Sequence, residues 1–238
     1  MAILQLLRIS ALPTLLSTVL ASYFIGGGGN IILLIFLLLF GALLYLGGVV
    51  LNDYFDAAAD AIERPERPIP SGKISIQTAF ILGMSLITLG VFAGFICPFI
   101  GNGGVLGRRI AIAIVMILYC CVISYDAFLK QLSIIGPVTM GTCRILCYLF
   151  VFFTVERNVP AAHIIWSIFI GAYVMCLTMI SRFESNSQKK QKLVGMLLLF
   201  LIPLDAVACL FFAGIIPALF VILLCPVAIL LRRFFPMA

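Results

Sequence analysis

Charge is what this sequence has least of. Of its 238 residues, 10% are charged and 64% hydrophobic, against roughly 25% and 45–50% in soluble domains. That shortage excludes a water-soluble surface and makes the lipid bilayer the chain's solvent. No polar stretch is long enough to fold as a separate soluble domain, so residues 1–238 read as one membrane domain. The alternating pattern of barrel strands is also missing. Continuous apolar runs stand in its place, and only helices or closed barrels satisfy backbone polar groups across a hydrocarbon core of about 30 Å. The remaining fold class is all-α, a polytopic membrane helical bundle. The eight cysteines include no C-x-x-C and all lie in apolar runs, as small hydrophobes do. Cys143 and Cys147 share a helical face, but no His or carboxylate joins them to make a metal site.

The net charge of +6 would suggest nucleic acid in a soluble protein. Here the basic residues fall in short connections between apolar runs, so their meaning is topology, and no nucleic-acid partner is expected. Eight spans are expected near 8–25, 32–51, 76–99, 109–125, 134–154, 160–181, 193–213 and 216–231. The first is read as a helix rather than a signal peptide, because further spans follow at once. Alternating the loops gathers Arg8, Arg64, Arg67, Lys73, Lys130, Arg182, Lys189, Lys190, Lys192, Arg232 and Arg233 on one side. Only Arg108, Arg109 and Arg157 face the other. Both ends and the even-numbered loops are thereby expected in the cytoplasm, and the plain amino terminus favours a bacterial inner membrane. Asp53, Asp56, Asp60, Glu63, Glu66, Asp126 and Glu184 collect on that same side. Acidic residues contribute little to topology, so their gathering calls for another reason.

Two charges fall inside expected spans, Arg144 and Asp205. Such charges are costly and face the bundle interior or a wet cavity. Two readings stand side by side: a buried structural pair, or Arg144 lining a substrate cavity. His163, near Trp166, is assigned to an interfacial aromatic belt rather than to catalysis.

The second span runs into Asn52-Asp53-Tyr54-Phe55-Asp56-Ala57-Ala58-Ala59-Asp60. If the helix continues, Asn52, Asp56 and Asp60 stack at i, i+4 and i+8, with Asp53 beside them. Carboxylates on one stripe repel one another unless a cation lies between them. Magnesium suits the site, since it takes a few carboxylates and completes its shell with water and phosphate oxygens. A solvated acidic helix end would read the same way, and a lone D-x-x-D arises often by chance. The context decides. Directly downstream, Glu63-Arg64-Pro65-Glu66-Arg67-Pro68-Ile69-Pro70-Ser71-Gly72-Lys73 is a proline-stiffened loop offering Arg64, Arg67 and Lys73 to phosphate. Carboxylates for metal and cations for phosphates together suit a diphosphate.

This combination resembles the UbiA superfamily of membrane prenyltransferases, whose first motif reads N-D-x-x-D-x-x-x-D followed by R-P-x-P-S-G. The match lies at Asn52, Asp53, Asp56, Asp60, Arg67, Pro68, Pro70, Ser71 and Gly72, and the helix layout extends the likeness along nearly the whole chain. The resemblance implies Mg2+ and an isoprenyl diphosphate held by the aspartates, with an isoprenyl group passed to a small acceptor. It also implies a Tyr and a Lys in the loop after the fourth helix, which Tyr125 and Lys130 match. On that resemblance Tyr125 or Asp126 could orient the acceptor or take its proton, and a loop residue hydrogen-bonded to nearby backbone is the equal reading of Asp126. Arg64, Arg67, Lys73, Arg144 and Arg182 are the expected substrate-binding cations. The stretch 125–146, with Gly136-Pro137 and Met140-Gly141-Thr142-Cys143-Arg144, looks most like the UbiA-like branch called EboC.

The sequence departs from the family pattern twice. Members usually carry a second D-x-x-x-D after the sixth helix, where Ser181-Arg182-Phe183-Glu184-Ser185-Asn186 retains one carboxylate, Glu184, so metal binding there must be weaker, use Asn186 or water, or involve a single ion. Members usually have nine helices, and eight are expected here. Three rivals follow. A transporter using the acidic cluster for ions would place it near the midplane in broken helices, often within repeats, and none is seen. A transferase of phospho-alcohols from nucleotide diphosphates would carry D-G-x-x-A-R, which is missing. A degenerate family member would bind isoprenoid diphosphate without turnover.

Overall fold

Low polarity, internally paired backbone and span length together dictate helices, and helices are what form. The computed structural model describes residues 2–183 and 188–234, and every regular element among them is helical. In chain order these are α1 (Ala2–Leu6), α2 (Leu12–Ile25), α3 (Ile31–Phe55), α4 (Ala57–Glu63), α5 (Ile76–Ile100) and α6 (Gly104–Ala127). Then come α7 (Ile135–Val155), α8 (Ala161–Phe183), α9 (Gln188–Leu199), α10 (Leu201–Phe212), α11 (Ile215–Ile222) and α12 (Leu224–Phe234). Short 3-10 turns lie at Ile9–Ala11 and Leu129–Gln131.

Five of these helices, α3, α5, α6, α7 and α8, cross a membrane by length and apolarity, and so do the composite segments 193–212 and 215–234. The chain is therefore an integral, multi-pass membrane protein. The first expected span is shorter than the sequence suggested. Arg8 adopts the left-handed conformation at φ 41° and ψ 49°, which ends the run from α1, and Pro13 then starts α2. The 14 residues of α2 extend only about 21 Å at 1.5 Å per residue. The last two expected spans are each broken once, near Phe200 and Leu223.

Elsewhere local chemistry sets the ends. Asn30 caps α3, its Oδ1 accepting from the amides of Ile32 at 3.0 Å and Leu33 at 3.3 Å. Ser75 caps α5 through the Thr78 amide at 3.0 Å. The centre of the bundle is α7. Its apolar window is 56% buried, against 33% or less in every other spanning helix. Phe150 of α7 meets Phe40 of α3 with ring centroids 4.4 Å apart. Large apolar side chains on the outer faces, such as Ile35, Phe92 and Phe211, are exposed and would meet lipid.

The pair α3 and α5 packs closest, because glycines face each other. A Cβ at Gly47 would lie 2.9 Å from the Gly83 carbonyl oxygen and 2.8 Å from the Ile87 nitrogen, and one at Gly83 would lie 2.7 Å from Leu51 Cδ2. This lock aligns the carboxyl end of α3 with the amino end of α5. The loop between them is anchored below by Ile74, which packs with Leu6, Val50 and Ala79. Its turn closes through the Gly72 amide to Ile69 O and the Ile74 amide to Pro68 O, both 3.0 Å. Gly72 sits at φ 73°, which only glycine adopts without strain.

At the opposite end of the bundle, the Gly103 amide bonds Thr154 O at 3.0 Å, and Glu156 Oε1 meets His163 Nδ1 at 2.9 Å. His163 is buried and stacks on Phe152 at 4.9 Å. It is a core partner rather than a member of the expected interfacial belt.

Candidate diphosphate and metal site

The helix of the second expected span does continue. The amide of Asp56 bonds Asn52 O at 3.0 Å, that of Asp60 bonds Asp56 O at 2.8 Å, and that of Arg64 bonds Asp60 O at 2.8 Å. The backbone ladder thus runs from α3 through Asp56 into α4, and the stripe forms. Asn52, Asp56 and Asp60 line a single cavity of about 260 Å³, together with Ala59, Glu63, Arg8, Arg64 and Arg67. The three small residues 57–59 leave that cavity open above the stripe.

Each carboxylate has a cation. Arg67 Nη1 lies 2.6 Å from Asp60 Oδ2 and 3.6 Å from Asp53 Oδ1. Arg8 donates to Asp53 Oδ1. Lys130 Nζ lies 2.7 Å from Asp56 Oδ1 and 3.2 Å from Asn52 Oδ1, and Asn52 Nδ2 donates to Asp56 Oδ2 at 3.1 Å. Asp53 and Asp60 are buried, and Asp56 is partly open. Asp53 does not line the cavity; it faces Arg8 and Arg67, which do. The roles thus divide along the helix: Asn52, Asp56 and Asp60 line the cavity, while Asp53 lies behind its cations, Arg8 and Arg67.

The donor set fits a hard divalent ion, which takes carboxylate and amide oxygens. Among the described residues no three His, Cys, Asp or Glu are close enough to hold a metal as arranged; Lys130 bridges Asp56 and Asn52, and Arg67 bridges Asp60 and Asp53. Asn52, Asp56 and Asp60 are the oxygen donors on the cavity that could hold magnesium.

The remaining expected residues divide. Arg64 lines the cavity. Lys73 is exposed on the loop and does not. Arg182 donates to Leu132 O at 2.7 Å and Lys130 O at 2.5 Å, so it clamps the turn that presents Lys130, and its guanidinium acts on the half-buried Tyr125. Glu184 and Asn186 lie outside the described residues. Arg144 is buried on α7, away from the cavity lining, and does not form the expected ion pair with Asp205. The Asp205 carboxylate instead accepts from Ser17 at 2.6 Å, from Thr18 at 3.3 Å and from the Tyr148 hydroxyl. Three hydroxyls satisfy it, which leaves the guanidinium of Arg144 without a hydrogen-bond partner among the described residues.

Sequence reasoning missed Arg8 as a site residue. Its only signal was a lone basic residue at the end of an apolar run, and that position also serves topology.

A membrane helical bundle with an oxygen-rich, cation-ringed cavity at one helix end is the class that fold and site define. The profile of the UbiA prenyltransferase family matches residues 15–238, and the chain belongs to that family. Among its relatives are digeranylgeranylglyceryl phosphate synthases. That of Methanopyrus kandleri is 32% identical over 133 residues, 56% of this chain and 45% of the relative. That of Methanobrevibacter smithii is 35% identical over 111 residues, 47% and 38% respectively. The chain thus spans less than half the length of these curated relatives. A UbiA homolog from Archaeoglobus fulgidus bound to DMAPP and Mg2+ shares the fold, with a TM-score of 0.65 at 14% identity over 98% of this chain and 86% of that one. Its form bound to GPP and Mg2+ gives a TM-score of 0.63 at 14% identity over 98% and 87%.

Proposed function

We propose that this protein is a Mg2+-dependent membrane prenyltransferase, moving an isoprenyl group from an isoprenyl diphosphate to a small acceptor. The observation that carries this reading is the convergence of Asn52, Asp56 and Asp60 with Arg8, Arg64 and Arg67 on one cavity of about 260 Å³. Oxygens for a metal and cations for phosphates meet there at a helix end. Magnesium, when bound, supplies charge to the departing diphosphate oxygens. Arg8, Arg64, Arg67 and Lys130 add fixed positive charge to the same leaving group. The apolar helices beneath exclude water from the allylic carbon as it gains positive character. Relatives named digeranylgeranylglyceryl phosphate synthase, and a fold-mate bound to DMAPP with Mg2+, support the reading.

The site end is assigned to the cytoplasm, since it gathers Arg8, Arg64, Arg67, Lys130 and Arg182 while Arg157 lies at the other end. A position at a helix end also separates the site from midplane ion sites of transporters. The test is binding of geranyl, farnesyl and geranylgeranyl diphosphates by detergent-purified protein, with and without magnesium, beside Asp56→Ala. Magnesium-dependent binding that disappears in the variant is expected. Binding without turnover would mark a degenerate member, and no binding at all would remove the reading.

A further inference from the structure

Gly136 lies in the first turn of α7, at the site end of the bundle, and is buried. A Cβ there would stand 2.1 Å from Arg182 Nη2, 2.9 Å from Arg182 Cζ and 3.1 Å from Leu129 O. The guanidinium at the last turn of α8 therefore fills the space that any other residue at 136 would need. That guanidinium spans two carbonyls of the turn between α6 and α7, Nη1 donating to Leu132 O at 2.7 Å and Nη2 to Lys130 O at 2.5 Å. The atom closest to the missing side chain is thus the one that holds Lys130. Leu132 O also accepts from the Gly136 amide at 3.2 Å, which joins the slot to the turn. Gly136 is not among the glycines with positive φ. Space, rather than backbone freedom, is what glycine supplies here, at the expense of a weaker helix start.

The crossing is prepared by the packing of α7 on α8. A Cβ at Gly141 would lie 2.6 Å from Gly171 O, and one at Gly171 would lie 2.9 Å from Gly141 O, so the two backbones approach closely. At Gly141 and Gly171 the facing atoms are backbone, the mark of helix packing. At Gly136 the facing atoms are the end of a cation. Lys130 is where that cation acts, since its ammonium reaches Asp56 Oδ1 at 2.7 Å and Asn52 Oδ1 at 3.2 Å, and both residues line the cavity. We infer that Gly136 is a positioning residue of the diphosphate site: its missing side chain is the slot through which Arg182 crosses α7 to fix the turn that delivers Lys130. The inference rests on the prenyl-transfer reading for its ligand, whereas the slot itself is a matter of geometry.

The experiment uses the full chain in detergent and two readouts. One is binding of labelled geranylgeranyl diphosphate with magnesium. The other is acylation of Lys130 by N-hydroxysuccinimidyl acetate, followed by mass spectrometry, and it needs no diphosphate. Gly136→Ala is expected to weaken binding by about 10-fold, the effect of one charged hydrogen bond. It is also expected to speed acylation several-fold over wild type, in which the Lys130 side chain is 14% exposed. Lys130→Ala/Gly136→Ala is expected to bind as Lys130→Ala does, because the effect runs through Lys130. A packing role would add its own loss instead, and additive losses overturn the inference. So does unchanged acylation in folded Gly136→Ala. If Gly136→Ala does not fold, Gly136→Ala/Arg182→Ala removes the clash and is expected to fold; a double variant that also fails assigns Gly136 to packing and overturns the inference. A wild type that binds no isoprenyl diphosphate breaks the prenyl-transfer reading, and the acylation rates then decide the slot by themselves.

Discussion

Arg67 and Asp60 form a buried ion pair, Nη1 to Oδ2 at 2.6 Å, and the same nitrogen lies 3.6 Å from Asp53 Oδ1. Two carboxylates, Asp53 and Asp60, therefore share a single guanidinium, and a second cation, Arg8, closes the group. Removing the shared partner leaves two buried negative charges facing each other. Arg67→Met is expected to lower stability by about 3–5 kcal/mol. Thermal unfolding in detergent should show a clear loss against wild type, whereas an unchanged transition would mean that Arg8 alone suffices.

Asp205 and Arg144 should part company under mutation. Asp205→Leu leaves the hydroxyls of Ser17, Thr18 and Tyr148 without their acceptor, at a cost of about 2–4 kcal/mol. Arg144→Met removes no hydrogen bond, so folded yield should fall far less. Comparing monodisperse yield and melting temperature for the two variants checks this; equal losses would reinstate a structural pair.

Arg182 acts on the site through backbone. Its two bonds to Lys130 O and Leu132 O hold the turn that brings Lys130 to Asp56. Arg182→Ala should weaken diphosphate binding by about 10-fold, the effect of one charged hydrogen bond worth about 1.5 kcal/mol. Thermal stability should change little. Titration of labelled diphosphate in both proteins decides the matter, and unaltered affinity would assign Lys130's placement to other contacts.

Gly47→Ala tests the lock between α3 and α5. The added methyl group meets the Gly83 carbonyl and the Ile87 backbone below 3.0 Å, and backbone yields less readily than a side chain. Overpacking of this kind costs about 1–3 kcal/mol. Because the lock aligns the stripe with the loop, diphosphate affinity should fall alongside melting temperature; a purely thermal effect would separate the lock from the site.

Most of the architecture was legible in hydropathy, because a bilayer demands long apolar helices and leaves few alternatives. The stripe was legible as well: Asn52, Asp56 and Asp60 share a face by periodicity alone, and the helix ladder through Asp56 honours it. Legibility stopped where tertiary placement decides. Nothing in sequence links Arg8 to Asp53, 45 residues away. Arg182 read as a phosphate ligand because a cation near a site looks the same whether it binds substrate or carbonyls. Arg144 and Asp205 looked like a pair because opposite charges in spans usually meet, yet hydroxyls on α2 and α7 reached the carboxylate first. The shortness of the first span rests on one left-handed residue, Arg8, and no local rule marks an arginine for that conformation.

The glycine lock between α3 and α5 also bears on how this protein can change. It places the metal-facing stripe and the loop that follows on one hairpin, residues 31–100, while Asp126 and Lys130 arrive from α6 and the turn beyond it. On the proposed reading, most of the groups that would meet the leaving diphosphate are therefore inherited as one contiguous stretch of gene, with Arg8 and Lys130 joining it from outside that stretch.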